Sequence, residues 1–233
     1  MTYAIISPMR AGSTFLFRML RDLSDDYNIK LNDEFFNTVY PGWSSIDDGT
    51  RLRNSDRNYF PLEEEIDYRI NLLKKYNCKN TVKVISTHLN TKIIDFLIDN
   101  YSVVIIDRQD KYEQYLSYII AYNTDVWNKV SPDAHIVEPF ECPVEYALNF
   151  LKIEKQWQED KAYILKNTSA IILDYENLIN NPIFYLQSHG INIRPFSKYY
   201  KPIYKLNFKF PKEHYIKNID LIRETYKQQE SIL

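Results

Sequence analysis

The stretch YAIISPMRAGSTFLFRML, residues 3–20, decides how this chain is read. It opens on a short apolar run, Tyr3-Ala4-Ile5-Ile6, and closes on a segment with apolar residues at helical spacing. Between them lie Arg10, Gly12 and two hydroxyls, Ser13 and Thr14. The whole chain has only four glycines, so one placed between a strand and a helix marks a backbone constraint. A strand that turns tightly into a helix aims unpaired N–H groups and a positive dipole end at one spot. Phosphate or sulfate binds well there. Gly12 lets the backbone approach an anion, Arg10 supplies a fixed charge, and Ser13 and Thr14 add hydroxyl donors. The plainer alternative is an ordinary N-cap, with Ser13 or Thr14 satisfying the first turn.

Three further β-branched runs match the first: Val82-Lys83-Val84-Ile85, Val103-Val104-Ile105-Ile106 and Ala170-Ile171-Ile172-Leu173. They read as strands buried on both faces, as in a parallel sheet. Helical patterns cover 12–23, 66–76, 91–97, 111–122, 143–166 and 213–229. In the longest of them Phe150, Trp157 and Ile164 recur every seven residues along one face. Strands alternating with helices predict an α/β fold, a parallel β-sheet flanked by helices. No linker or repeat divides residues 1–233, so a single domain is expected. Residues 37–61 and 123–143 are polar and rich in turn residues, and read as long loops of the kind that form lids or binding segments.

Composition narrows the function classes. The chain of 233 residues is 45% hydrophobic, enough for a real core, and its net charge of −2 offers no general attraction to nucleic acid or to an anionic membrane. Any anion site must be local. Cys78 and Cys142 stand apart, with no CxxC and no histidine cluster nearby, which argues against a zinc site or a disulfide scaffold. No apolar run reaches the ~20 residues of a membrane span. No secretory leader pattern precedes the first strand. A soluble, cytoplasmic protein is expected.

The nucleotide-triphosphatase signature G-x-x-x-x-G-K-[ST] fits poorly, since Ser7 holds the first glycine position and Ser13 the lysine position. The segment PMRAGSTFL instead resembles the 5′-phosphosulfate loop of sulfotransferases that use 3′-phosphoadenosine 5′-phosphosulfate (PAPS), written P-[KR]-S-G-[ST]-[ST]-W-L. The resemblance implies that Arg10, Ala11, Gly12, Ser13, Thr14 and Phe15 bind the donor, with Phe15 where cytosolic members place a tryptophan near the adenine. Other landmarks of the family follow in order. VVIIDRQDKYEQYLSYIIAY (103–122) is similar to the 3′-phosphate motif and implies that Arg108 and Ser117 bind that phosphate. They are spaced by nine where many members have eight, and Gln109 holds the eight-spaced position. AIILDYENLINNP (170–182) resembles the family's YEDLxxNP segment, which puts Tyr175 near the adenine. The same residues also make sense as plain packing and turn chemistry.

Two residues compete as the base that takes the acceptor's proton. VKVISTHLN (82–90) is similar to the KTHL of cytosolic members, which implies His88, although Ser86 stands at the lysine position. LNDEFFN (31–37) looks like a segment of bacterial and carbohydrate sulfotransferases, which implies Glu34. The family's C-terminal Arg-Lys-Gly-x-x-Gly is missing. In its place is YKPIYKLNFKFPK (200–212), where Lys205 and Lys209 either close over the nucleotide or form a solvated face.

The resemblance thus implies a P-loop-type sulfotransferase fold and in-line sulfuryl transfer from PAPS. Arg10 would steady the leaving oxygen, Glu34 or His88 would act as base, and no metal is required. The acceptor would be a small molecule or carbohydrate shaped by the two long loops, where Tyr40, Trp43, Tyr59 and Trp127 could stack on it. Two other readings stay open. One is a P-loop kinase or NTPase, because Asp107 and Asp174 end apolar strands as a magnesium-binding aspartate would. The other is a non-catalytic relative that only binds a nucleotide or a partner.

Overall fold

The computed structural model describes residues 2–21, 35–36, 63–75, 78, 81–124, 138–191 and 210–230. They fall into two compact units, Met1–Gln109 with Trp157–Tyr200, and Asp110–Gln156 with Lys201–Leu233. The strands are β1 (Tyr3–Ser7), β2 (Val82–Ile85), β3 (Ser102–Asp107) and β4 (Ile171–Asp174). The helices are α1 (Ser13–Arg21), α2 (Glu63–Lys75), α3 (Thr91–Asn100), α4 (Lys111–Thr124), α5 (Val144–Asn167), α6 (Tyr175–Asn180), α7 (Pro182–Ser188) and α8 (Ile219–Glu230). The division between the units falls inside α5. Among the described residues, no helix is long and apolar enough to cross a membrane.

The first unit is α/β. Its four strands form one all-parallel sheet in the order β2-β1-β3-β4, and they are the four apolar runs read from the sequence. Ala4, Ile6, Val82, Val84, Val103 and Ile105 face one way and pack with Ile66, Ile70 and Leu73 of α2, Ile93 and Leu97 of α3, and Trp157 and Ile164 of α5. Ile5, Val104, Ile106 and Leu173 face the other way, against Leu16, Phe17 and Leu20 of α1, Leu178 of α6 and Leu186 of α7. Helices on both faces explain why β1 and β3 carry apolar residues without alternation. Burying each such side chain contributes about 1.5–3 kcal/mol. The edge strand β4 departs from that expectation. Leu173 is buried but Ile172, on the opposite face of this edge strand, is 42% exposed.

The second unit is helical. Tyr115 of α4 packs against Phe150 of α5 (ring centroids 5.3 Å apart) and Tyr226 of α8 (5.0 Å), and Tyr118 packs against Phe150 at 5.2 Å. Lys111 pairs with the buried Glu154 at 2.7 Å. Cys142 is buried, and its thiol is pushed up to about 11, chiefly by burial and then by the Glu145 charge, so it is a packed group and not a ready nucleophile.

Two elements differ from the sequence reading. The segment read as a turn after β4 is a helix of six residues, α6, beginning at Tyr175. The C-terminal helix starts at Ile219 and not at Glu213. Lys212–Tyr215 is a short 3-10 turn, and Ile216 then makes a parallel bridge with Phe140. Asn218 holds the chain there, accepting from Cys142 N at 2.9 Å and donating to Cys142 O at 2.8 Å. Those long-range bonds, which no local pattern encodes, delay the helix.

Candidate functional site

Parallel α/β sheets bind ligands at the carboxyl ends of their strands, where the chain's path reverses direction across the sheet. Here the chain leaves β1 for β2 on one side and later enters β3 on the other. The loops after β1 and β3 therefore diverge around one crevice. The first carries Arg10 and Gly12, and the second begins at Arg108. Arg108 Nη1 donates to the Arg10 carbonyl at 3.5 Å, a long bond that joins the two loops.

The turn after β1 has two left-handed residues, Arg10 with φ 64° and Gly12 with φ 81°. For arginine that conformation costs on the order of 1–3 kcal/mol. Alternating backbone of this kind gathers N–H groups into a concavity suited to an anion. The Gly12 carbonyl accepts from Phe15 N at 3.0 Å and Leu16 N at 3.3 Å, which closes the first turn of α1. Ser13 and Thr14 occupy that turn. Gly12 is required for a second reason. A Cβ there would lie 2.5 Å from Cδ2 and 2.7 Å from Cε2 of Tyr175. The glycine admits a tyrosine ring as well as freeing the backbone.

Tyr175 also lies under Arg108, whose Cζ is 4.9 Å from the ring centroid. Glu176 completes the link: its Oε2 accepts from Gln109 N at 3.2 Å, and its Oε1 lies 3.8 Å from Arg108 Nε. Tyr175 and Glu176 thus tie the start of α6 to both candidate anion loops. Phe15 and Tyr175 pack on the same apolar cluster. The Arg10 guanidinium is pushed down to about 10, mainly by burial. Tyr175 works against that fall and the nearby Arg108 charge adds to it. Two guanidinium groups held this close favour a ligand with more than one negative charge.

The sequence reading assigns no role to Lys83. It occupies the middle of β2, is 1% exposed, and its Nζ donates to Thr14 Oγ1 at 2.9 Å. The available signal was a lysine inside an otherwise apolar strand, where a buried charge needs a purpose.

The remaining predicted residues are distributed as follows. His88 ends the 3-10 turn Ser86–His88 that follows β2, at the same carboxyl edge of the sheet, and its Nδ1 is buried. The hydroxyls of Ser7 and Ser86 are buried there as well, with no hydrogen-bond partner among the described residues. Glu34 lies outside the described residues. Its neighbours Phe35 and Phe36 are buried in the core, in edge-to-face contact at 5.3 Å, and the Phe35 carbonyl accepts from the buried Arg69. Residues 37–61, Trp127, Lys205 and Lys209 also lie outside. Ser117 belongs to the second unit, where its hydroxyl donates to Glu113 O at 2.9 Å. Lys212, the last residue of the basic segment, reaches the same carbonyl at 3.4 Å and pairs with the Glu113 carboxylate.

Asp107, the other residue of interest at the end of β3, has both carboxylate oxygens engaged. Oδ1 accepts from Arg108 N at 2.9 Å and Oδ2 pairs with Lys161 of α5. Among the described residues, no group of three or more His, Cys, Asp or Glu side chains is placed to hold a metal ion. No protein-family model and no curated protein sequence matches the chain. The site must be read from its own chemistry.

Proposed function

We propose that this chain is a PAPS-dependent sulfotransferase, moving a sulfuryl group to a hydroxyl or amine of a small molecule or carbohydrate. The observation that carries the reading is the convergence of Arg10, Gly12, Arg108 and Tyr175 at the switch point between β1 and β3. That group of residues has the makings of a site for a nucleotide carrying separate anionic groups. The turn from Arg10 to Thr14 would take the 5′ end of the nucleotide, and Arg108 the 3′-phosphate. Phe15 and Tyr175 offer aromatic surface for a base. The left-handed backbone at Arg10 and Gly12 suits a close approach of an anion to the turn's N–H groups, so the residues present fit such a group.

When bound, PAPS supplies the sulfuryl group and a phosphate leaving oxygen. The protein's part is positioning and fixed charge. Arg10 and the first-turn N–H groups would hold the negative charge at the 5′ end. His88, with Nδ1 buried, would take the acceptor's proton at Nε2, and Glu34 is the other candidate base. A kinase or NTPase reading needs a free aspartate for magnesium. Of the two aspartates on which that reading rests, Asp107 engages Lys161 and the Arg108 backbone, and Asp174 accepts from Asn177 Nδ2 at 3.2 Å, which favours the sulfotransferase reading.

Calorimetry with adenosine 3′,5′-bisphosphate, in the absence of metal, tests the donor site. Binding by the wild type is expected, with Arg10→Ala and Arg108→Ala each weaker by about 10–100-fold, the value of a lost charge-assisted hydrogen bond. No binding, or magnesium-dependent ATP turnover, would overturn the reading. Sulfuryl transfer assays on Glu34→Gln and His88→Ala then identify the base, and near wild-type turnover in both would exclude both. Donor binding without transfer to any acceptor in a broad screen would mark a binding protein.

A further inference from the structure

Lys83 lies inside β2 and pairs in register with Ile5. Ile5 packs on the α1 side of the sheet. Residues two apart on a strand share a face, so Ser7 stands on that side as well. Ser7 is fully buried, and its hydroxyl has no hydrogen-bond partner among the described residues. The Lys83 ammonium lies 2.9 Å from Thr14 Oγ1, in the first turn of α1. A buried lysine therefore meets the first turn of a helix, and a buried hydroxyl stands on the same face of the sheet.

The electrostatics of that meeting point to a ligand. The N-terminal turn of a helix carries positive partial charge, and the Lys83 ammonium adds to it there. Arg10 brings further positive charge to the same turn. An anion seated on the turn is attracted by the ammonium, the guanidinium and the helix dipole together. In a Walker-type loop the lysine that does this belongs to the loop itself. Here that position is Ser13, and the lysine arrives from the neighbouring strand.

We infer that Lys83 is the ammonium of this anion site, binding the oxygens of a phosphate or phosphosulfate group held on the first turn of α1. The identity of the ligand as the 5′ end of a 3′-phosphorylated adenine nucleotide rests on the function proposed above. The role of Lys83 toward an anion does not.

Two kinds of probe on the full chain separate these. Inorganic pyrophosphate reports on the anion site alone. Adenosine 3′,5′-bisphosphate, compared with adenosine 3′-monophosphate, reports which end of the nucleotide Lys83 meets. Lys83→Gln keeps a hydrogen-bonding group toward Thr14 and removes the charge. It is expected to weaken pyrophosphate and the bisphosphate by at least about tenfold while leaving the 3′-monophosphate within about twofold, and Lys83→Arg to recover most of the loss. If pyrophosphate binds the wild type and Lys83→Gln equally well, the inference falls. If pyrophosphate binding depends on Lys83 but the wild type ignores the bisphosphate, Lys83 keeps its role and the nucleotide reading fails. If the wild type binds neither, both fail. Should Lys83→Gln not fold, nitrogen-15 spectra of the wild type decide. The buried ammonium exchanges slowly enough to be singled out, and its resonance must move when pyrophosphate is added. A resonance that stays still overturns the inference.

Discussion

Gly12 and Tyr175 are in contact through the missing side chain: a Cβ on Gly12 would stand 2.5 Å from Cδ2 of the tyrosine ring. Gly12→Ala therefore carries two penalties, a left-handed φ of 81° and a steric conflict. Together they are expected to cost roughly 2–4 kcal/mol. In a Tyr175→Ala background only the conformational part, about 1 kcal/mol, should remain. Urea unfolding of the four proteins in this cycle checks it, and an equal cost in both backgrounds would refute the steric account.

Arg10 combines a left-handed backbone with a guanidinium held down by burial and by the charge of Arg108. Both features cost stability in the ligand-free chain. Arg10→Gly is expected to raise stability by about 1 kcal/mol while reducing pyrophosphate affinity by about tenfold or more. Thermal melts with and without pyrophosphate measure the two effects. A fall in both stability and affinity would make Arg10 a structural residue first.

Asp107 holds the start of the loop after β3 through Arg108 N and pairs with Lys161. Asp107→Ala is expected to cost about 1–3 kcal/mol, and Asp107→Asn less, since it still accepts from Arg108 N. Denaturant midpoints decide between them. Magnesium-dependent ATP turnover that vanished in Asp107→Asn would instead make this carboxylate a metal ligand.

Acid sensitivity of the second unit is expected to pass partly through Glu213. Its Oε1 accepts from Arg223 Nη2 at 2.9 Å and Tyr112 OH at 3.0 Å. The bond from Arg223 is the main cause holding its carboxyl below the ordinary value of 4.5, with burial opposing and Tyr112 assisting. A carboxyl lowered in the folded state stabilises above its unfolded value, and that contribution disappears as pH falls through the folded value. Urea midpoints should thus drop below about pH 4.5, and Glu213→Gln should drop less. Parallel curves for the two proteins would assign the acid transition to other groups.

The sheet was legible because each strand is a local apolar run, and a run of four or five β-branched residues needs no distant information to be recognised. The heptad of Phe150, Trp157 and Ile164 was legible for the same reason, and all three are buried. The start of α8 was not, because the bonds between Asn218 and Cys142 that delay it join residues far apart in the chain. The abundance of tyrosine carried no message in the sequence. In the fold, Tyr115 and Tyr226 fill the core of the helical unit.

For the site, the sequence by itself determined the turn from Arg10 to Thr14 and the residue types an anion would meet there. Spacing and residue chemistry are local properties of the chain. Only the tertiary structure decided what surrounds that turn. Parallel pairing set Lys83 beside Ile5 and so under Thr14. Crossing from β1 to β3 brought Arg108 to Arg10, and the start of α6 laid Tyr175 against Gly12. Each of these is a contact between segments tens of residues apart, and strand register, not sequence proximity, is the physical cause that brings them together.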